Sequence, residues 1–203
     1  ILENGCGVGM YVQKMAEAGG NVTGLEYDFD RATEARNVSD KIINAAGEFL
    51  PLPSLTFDLI LSHEVIEHVS SDRSAIAEMI RVLKVGGRAV IFCPNRWYPF
   101  ETHGIFWKGK YYFGNKLFVN YLPRFLRDKL APHVNVYTKK DLAKLFDGFP
   151  VKFVERTIIF GAYDNIIARF GFAGKILRAV LQFLEKTPLK ILGISHVWVV
   201  EKI

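Results

Sequence analysis

The chain opens with Ile1-Leu2-Glu3-Asn4-Gly5-Cys6-Gly7-Val8-Gly9, a short apolar run followed by three alternating glycines. This pattern is typical of a buried strand that turns directly into a helix, because glycine accepts positive φ angles and lets a ligand approach the backbone. A dinucleotide site would need Gly-x-Gly-x-x-Gly, whereas Met10 stands where that third glycine belongs. The turn therefore predicts a ligand site, but not a pyrophosphate cradle.

An acid follows the next apolar run at a meaningful distance. Glu26 ends the run Val22-Thr23-Gly24-Leu25, 17 residues past Gly9, and we expect it at the carboxyl tip of the second strand. A carboxylate in that position can accept hydrogen bonds from both ribose hydroxyls of an adenosyl group. Taken alone it would be an ordinary loop acid, but the glycine turn at this spacing favours the binding role.

Short apolar runs alternate with helical patterns through the first half, which predicts a parallel sheet with crossover helices. The expected strands are Ile1-Leu2, Val22 to Leu25, Phe57 to Leu61, Ala89 to Cys93, Val151 to Phe160 and Val197 to Val200. The expected helices are Met10 to Ala18, Asp30 to Asn37, Glu64 to Val69, Ser74 to Leu83, Lys139 to Phe146 and about Asn165 to Leu184.

Length and composition favour one domain, residues 1–203, since 203 residues with 50% hydrophobic content can bury a full core. The start without Met suggests that upstream residues are missing. Cys6 and Cys93 lie in or beside apolar runs, so we expect no disulfide and a cytoplasmic protein. Charges such as Arg169 and Lys175 interrupt the C-terminal apolar stretches, which excludes a transmembrane segment and leaves at most peripheral membrane contact.

The charge is distributed unevenly along the chain. Residues 1–96 hold 9 Lys and Arg against 13 Asp and Glu, whereas residues 97–203 hold 17 against 8, so the halves carry −4 and +9. The basic half either faces an anionic partner or is a solvated, lysine-bearing surface. The helical stripe of Leu177, Val180, Leu181 and Leu184 either lies on an anionic membrane or packs on the domain, and packing is the commoner outcome.

Residues 96–133 interrupt the alternation and predict a substrate-covering insertion. The stretch is rich in aromatic residues, which suit either a pocket for an aromatic or isoprenoid acceptor or the core of the insertion. Up to residue 121 these aromatic residues are Trp97, Tyr98, Phe100, Phe106, Trp107, Tyr111, Tyr112, Phe113, Phe118 and Tyr121.

The first 95 residues resemble class I S-adenosylmethionine-dependent methyltransferases, especially the small-molecule and quinone methyltransferases of the methyltransferase type 11 group. The resemblance rests on Glu3 to Gly9, Glu26, Leu50-Pro51-Leu52-Pro53 with Phe57-Asp58-Leu59-Ile60, and Val82 to Gly87, in order and at the usual spacing. It implies a Rossmann-like α/β fold: a seven-stranded, mostly parallel sheet with an antiparallel last strand, helices on both faces, and the aromatic insertion as a substrate lid.

The resemblance also implies that S-adenosylmethionine is the cofactor. Glu3 would orient its ammonium group, Glu26 would hold its ribose, and Gly47 and Glu48 would flank its adenine. The full set of implied cofactor-binding residues is Glu3, Gly5, Cys6, Gly7, Gly9, Glu26, Tyr27, Gly47, Glu48, Ser62 and His63. Ala46 departs from the pattern, because relatives usually carry there an acid that binds the adenine amino group.

Methyl transfer is an in-line displacement, so the protein mainly aligns the reactants and excludes water. A hydroxyl acceptor would also need a base, and histidine suits that role. The candidate bases are His63, His68, His103 and His133.

Glu64, Glu67 and His68 would share one face of the expected helix, where they could hold a divalent cation together with a later histidine such as His103. This Glu-x-x-Glu-His pattern resembles the metal-binding element of ubiquinone-pathway O-methyltransferases and of small-RNA 2′-O-methyltransferases. The alternative is that the two acids simply favour the positive end of the helix dipole.

Three functional hypotheses remain open on the sequence. The first is methyl transfer to a small, lipophilic or aromatic acceptor. The second is RNA 2′-O-methylation, suggested by the basic half and the Glu-x-x-Glu-His pattern, although no RNA-binding module is recognised. The third is a protein that binds S-adenosylmethionine without transferring its methyl group, suggested by Ala46 and by the lack of an assured base.

Overall fold

The computed structural model describes residues 1–161 and 163–203. In the first half, strands alternate with helices in the order β1 (Leu2–Asn4), α1 (Met10–Glu17), β2 (Thr23–Glu26), α2 (Phe29–Ala35), β3 (Ile42–Asn44), β4 (Phe57–His63), α3 (Asp72–Val82) and β5 (Leu83–Pro94). The second half contains β6 (Phe100–Glu101), β7 (Ile105–Trp107), β8 (Lys110–Tyr112), β9 (Lys116–Leu117), α4 (Arg124–Leu130), α5 (Lys139–Lys144), β10 (Val151–Ile159), α6 (Tyr163–Leu184) and β11 (Ser195–Lys202).

Seven strands form one sheet in the order β10-β11-β5-β4-β1-β2-β3, mostly parallel and with one antiparallel strand, which confirms the predicted fold class. Asn4 of β1 lies opposite Leu25 of β2 and opposite Ser62 of β4. Because these three strands run in parallel, their carboxyl ends meet at one edge of the sheet. Glu3, Asn4, Glu26 and Ser62 therefore all belong to that edge.

Buried apolar side chains fix the helices to the sheet beside this edge. Val12 of α1 and Ala32 and Ala35 of α2 pack with Val22 and Ile42 in one cluster. Helix α2 begins at Asp28, whose side chain accepts a hydrogen bond from the backbone N–H of Arg31 and so caps the helix. The predicted helices for α1 and α2 are confirmed to within one or two residues at each end.

The chain divides into two compact units, each built from separate stretches of sequence. Unit 1 comprises residues 1–93, 140–156 and 198–203, and unit 2 comprises residues 94–139 and 157–197. In unit 1, the buried Trp198 ring packs against Phe146 and Phe153. In unit 2, the Asn95 side chain donates hydrogen bonds to the carbonyls of Ile191 and Gly193, which joins its two stretches.

The predicted insertion, residues 96–133, lies within unit 2. It forms two small antiparallel ribbons, β6 with β9 and β7 with β8, followed by α4. Its role as a lid stays a prediction.

One predicted helix was wrong, and one strand of the sheet was not predicted. Residues 64–69 form a turn and not a helix, because the backbone N–H of Glu64 still bonds to Phe92 of β5 and its φ is +56°. Strand β3 was missed because only Ile42 and Ile43 supply an apolar signal there; it forms by pairing with β2.

Helix α6 has its predicted position but not the favoured packing. It kinks at Gly171, and most of its apolar side chains are exposed, including Ile176, Val180 and Phe183. None of the helices among the described residues combines the length and the apolar composition needed to cross a membrane.

Candidate functional site

The glycine turn after β1 is anchored to β2 by its backbone. The N–H groups of Gly5 and Cys6 both donate to the carbonyl of Leu25, at 2.8 Å each. Gly5 has a φ of +81°, and a Cβ at this position would lie 2.3 Å from Val65 Cγ2. Gly7 has a φ of +54°, but a Cβ there would meet nothing within 4 Å. The turn is thus closely packed at Gly5 and open at Gly7, as a ligand passing over Gly7 requires.

The Glu26 carboxylate connects this turn to the end of β2. Its Oε2 accepts a hydrogen bond from the Gly7 N–H at 2.7 Å, and its Oε1 accepts one from the Asp28 N–H at 2.9 Å. The side chain amide of Asn44 donates to the carbonyls of Glu26 and Tyr27, which fixes the strand end. Since each carboxylate oxygen has two lone pairs, each retains acceptor capacity for a further hydroxyl.

Glu3 is a buried acid at the same edge. Burial, with a smaller contribution from the nearby Glu26 charge, raises its pKa to about 7, although a hydrogen bond from the Val12 backbone acts in the opposite direction. In the part of the chain that the structure describes, its Oε2 has no hydrogen-bond partner. A cation bound beside Glu3 would favour its ionised form.

Two further polar side chains lie at this edge and were not predicted as a pair. Asn4 and Ser62 are fully buried and occupy paired positions of β1 and β4. Neither the amide atoms of Asn4 nor Ser62 Oγ has a hydrogen-bond partner among the described residues. The only sequence signal for Asn4 was a polar residue inside the apolar run that opens the chain.

The remaining predicted cofactor contacts follow β1, β2 and β3. The Asn4 amide oxygen lies 3.3 Å from where a Cβ on Gly47 would be, so a side chain at position 47 would crowd it. Glu48 Oε1 accepts a hydrogen bond from the Ser70 N–H at 2.7 Å, so this carboxylate also holds the segment before α3. Tyr27 is exposed. Burial raises the pKa of the Cys6 thiol to about 12, which keeps it neutral.

The last residue of β4 and the turn after it supply the predicted histidines and acids of unit 1. His63 packs between the rings of Tyr11 and Phe92, at centroid distances of 5.4 and 4.8 Å. The turn that follows removes the common helix face on which Glu64, Glu67 and His68 were expected. Glu67 is buried, and burial, together with the charge of Glu64, raises its pKa well above its usual range. His68 Nε2 lies 3.8 Å from Glu67 Oε1.

His103 belongs to unit 2 and is oriented there by an acid that sequence analysis missed. Glu101 Oε1 accepts a hydrogen bond from the His103 N–H at 2.9 Å and lies 3.1 Å from His103 Nδ1. Glu101 Oε2 accepts a hydrogen bond from the buried Arg127 guanidinium at 2.6 Å. Burial would raise the pKa of Glu101, but its hydrogen bonds to His103 and Arg127 lower it to about 2. The Glu101-Thr102-His103 spacing was the available sequence signal, whereas Arg127 had none.

The structure therefore brings Gly7 and Glu26 into direct contact, with Glu3, Asn4 and Ser62 at the same sheet edge of unit 1. His63 ends β4 in the same unit. His103 and His133 belong to unit 2, where the His133 ring lies 3.2 Å from the His103 carbonyl.

Comparison with known proteins finds similar sequences for the first part of the chain. Residues 2–91 match a family of methyltransferase domains. A probable S-adenosylmethionine-dependent methyltransferase from Mycolicibacterium smegmatis is 33% identical over 98 residues, which cover 47% of this chain and 38% of that protein. A ubiquinone biosynthesis O-methyltransferase from Photobacterium profundum is 32% identical over 103 residues, 47% of this chain and 44% of that protein. The chain thus matches less than half the length of these relatives.

A solved structure extends the likeness of fold over nearly the whole chain. The crystal structure of an S-adenosylmethionine-dependent methyltransferase from Mesorhizobium loti aligns with a TM-score of 0.67, covering 99% of this chain and 89% of that one. At 17% sequence identity this likeness concerns the fold alone.

Proposed function

We propose that this chain is a class I S-adenosylmethionine-dependent methyltransferase, as the match of residues 2–91 to a family of methyltransferase domains supports, and that it transfers a methyl group to a small, apolar acceptor. The observation that carries the proposal is the Glu26 carboxylate, which is held by the Gly7 and Asp28 N–H groups at the carboxyl edge of the sheet. An acid so placed beside an open glycine turn suits the ribose of an adenosyl group.

In this proposal the two acids of the sheet edge have separate tasks. Glu26 accepts the ribose hydroxyls, and Glu3 pairs with the ammonium group. The open backbone at Gly7 leaves room for the cofactor to pass. S-adenosylmethionine supplies a methyl carbon that is already activated by its sulfonium, so the residues of the chain need only align the acceptor and exclude water.

The proposed acceptor is apolar because unit 2 presents many aromatic side chains to the outside. Trp97, Phe106, Trp107 and Tyr111 are each more than two-fifths exposed. Aromatic side chains contribute large apolar contact area, and they are common in ligand sites.

For a hydroxyl acceptor, His103 is the proposed base. Its Nδ1 faces the Glu101 carboxylate, whose position is fixed in turn by Arg127. A carboxylate in this position stabilises the imidazolium that forms when the ring takes a proton. His63 and His68 remain the alternative base candidates. Among the described residues, His63 packs against the Tyr11 and Phe92 rings and not against a fixed acid.

Calorimetric titration with S-adenosylhomocysteine tests the cofactor site. We expect Glu26→Ala to weaken binding by about 1–3 kcal/mol, because charge-assisted hydrogen bonds to the ribose are lost. Glu34→Ala is the matched control: it removes an exposed acid of unit 1 and leaves the site unchanged. Thermal denaturation of both variants reports whether the fold is retained. Equal affinity of Glu26→Ala and Glu34→Ala would overturn the assignment.

A divalent cation at Glu67 and His68 is the further, separable part of this proposal. The two side chains offer an oxygen and a nitrogen 3.8 Å apart, which is compatible with two ligands of one ion, and Glu67 is a buried acid. Titration with Mn²⁺ alone tests it. We expect Glu67→Gln and His68→Ala each to abolish Mn²⁺ binding, whereas the control His133→Ala should retain it. Mn²⁺ binding that none of the three variants changes would exclude the site.

A further inference from the structure

Residues 105–113 of unit 2 form an exposed β-hairpin, which we name the aromatic hairpin. Phe106 pairs with Tyr111 and Trp107 pairs with Lys110 across its two strands. The two connecting residues, Lys108 and Gly109, have φ angles of +48° and +75°. Positive φ at both positions is the mark of a type I′ turn, the connection that best suits the twist of a two-residue hairpin.

The rings of this hairpin are exposed but held in place. The Phe106 and Tyr111 ring centroids lie 5.0 Å apart. The His133 ring packs edge-on against both, with its centroid 5.6 Å from each of theirs. The Tyr111 hydroxyl also donates to the His103 carbonyl. Trp107 nevertheless remains 54% exposed and Phe113 79% exposed. Large apolar side chains exposed together on a two-stranded ribbon are typical of an interaction site.

Helix α6 of the same unit has the same character. Phe172 and Phe183 are 77% and 66% exposed, and in the described part of this helix only Gly174 is buried. The cations Arg169, Lys175 and Arg178 lie among these apolar side chains. The helix is thus both apolar and basic, a composition typical of helices that lie in a membrane interface.

Unit 2 is also strongly positive. It contains 13 Lys and Arg against 4 Asp and Glu, a net charge of +9. Two of those acids are engaged within the unit: Glu101 is buried against Arg127, and Glu185 accepts hydrogen bonds from the Phe160 N–H and the Tyr163 hydroxyl. The outer charge of the unit therefore comes almost entirely from cations.

We propose that the aromatic hairpin and α6 dock unit 2 on an anionic lipid bilayer. Lysines attract the charged headgroups while Trp and Tyr side chains settle at the interface between headgroups and acyl chains. A second copy docked through the same surface would bring +9 against +9, and a nucleic acid would leave the aliphatic side chains of α6 in water. An anionic bilayer matches both the charge and the apolar surface.

Vesicle sedimentation tests this inference independently of methyl transfer. The chain is mixed with vesicles of phosphatidylcholine alone or of phosphatidylcholine with phosphatidylglycerol. We expect binding to the anionic vesicles only. We expect the double variant Trp107→Ala with Phe113→Ala, and separately Lys108→Glu with Lys110→Glu, to lower the bound fraction at least about tenfold.

Phe49→Ala is the matched control, because Phe49 is also 79% exposed but belongs to unit 1. It should bind vesicles as the parent does, and every variant should retain its affinity for S-adenosylhomocysteine, which shows that unit 1 is folded. Equal binding to neutral and anionic vesicles would overturn the inference. So would hairpin variants that bind like Phe49→Ala, or binding to RNA that anionic vesicles do not displace.

Discussion

Buried polar side chains concentrate at the carboxyl ends of β1, β2 and β4. Glu3, Asn4 and Ser62 each carry a buried atom that has no hydrogen-bond partner within residues 1–161 and 163–203. A buried polar atom left without a partner costs about 1–3 kcal/mol. Their grouping beside the Glu26 carboxylate is therefore unfavourable for folding alone, and it is best explained by a polar ligand that binds there.

Glu3 leads to a prediction about pH. Its pKa of about 7 means that much of the acid is protonated below neutrality, whereas the cationic ammonium of S-adenosylhomocysteine selects the ionised form. Affinity should therefore rise as the pH increases towards about 7 and then level off, and binding near pH 7 should release protons. Calorimetry in buffers of different ionisation enthalpy measures both effects.

Glu3→Gln is the control for this titration and should bind more weakly with a flatter pH profile. Folding stability responds with the opposite sign. The folded chain binds the Glu3 proton more tightly than the unfolded chain between the usual pKa of 4.5 and about 7, so this residue makes stability fall as the pH rises through that range. A parent profile as flat as that of Glu3→Gln would contradict the role given to Glu3.

Gly7 allows the cost of backbone strain to be separated from the loss of binding. Gly7 and Gly19 both have positive φ, and a Cβ on either would meet nothing within 4 Å. Each substitution by alanine should therefore cost about 1–2 kcal/mol of stability through strain. Only Gly7→Ala should also reduce affinity for S-adenosylhomocysteine, by about tenfold or more, since its methyl group enters the cofactor path. Calorimetry showing equal affinity for both variants would remove Gly7 from the site.

At the scale of elements, a buried ion pair connects β6 with α4. Arg127 donates to Glu101, and it also bonds to the carbonyls of Ala131 and Val134 just beyond α4. Both charged side chains are 1% exposed. Removal of one partner from a buried pair leaves an uncompensated charge, which is more costly than replacing both partners by apolar residues. The pair thus determines how the His103 segment is held.

We therefore predict that Arg127→Ala destabilises the β6 and α4 elements by about 3–5 kcal/mol, whereas Arg127→Met combined with Glu101→Leu recovers much of that loss. Hydrogen exchange of the α4 amides measures the loss of stability in the single variant and its recovery in the double variant. The Glu101 pKa of about 2 lies below its usual value of 4.5, so the stabilisation is present above pH 4.5 and is lost as the pH falls towards 2. Single and double variants with equal exchange rates would show that the ion pair does not hold these elements.

At the scale of the whole molecule, charge separates the two units. The net charge of unit 2 is +9 and that of the whole chain is +5, so the net charge of unit 1 is −4. The proposed cofactor site relies on buried groups of unit 1, whereas the proposed lipid surface relies on exposed cations of unit 2. Salt screens exposed charges far more strongly than buried ones. The two activities should therefore respond differently to ionic strength.

The prediction is that raising NaCl from about 0.05 M to about 0.5 M lowers vesicle binding at least about tenfold and changes the Kd for S-adenosylhomocysteine less than about threefold. On the same preparation, sedimentation measures vesicle binding and calorimetry measures the Kd for S-adenosylhomocysteine. Vesicle binding that resists salt would mean that apolar contacts alone carry it. A cofactor affinity that falls in parallel would place exposed charges in the cofactor site.

The sequence by itself determined most strands of the first half and the position of Glu26 at the end of one of them. Apolar runs predicted β1, β2 and β4, and the run before Glu26 predicted that this acid ends β2, as it does. These are local features: glycine is needed where φ is positive, and a parallel strand ends where its apolar run ends. No long-range contact was needed to infer them.

Only the tertiary structure decided how polar and aromatic residues are partnered. The local pattern of Glu64 to Val69 predicts a helix, but the hydrogen bond from the Glu64 N–H to the Phe92 carbonyl of β5 overrides it. The partnership of Glu101 with Arg127 joins residues 26 positions apart, and the exposure of Phe113 and α6 depends on what the rest of the chain leaves uncovered. Burial and partner choice are properties of the packed chain, because they depend on residues distant in sequence, and local periodicity carries no information about them.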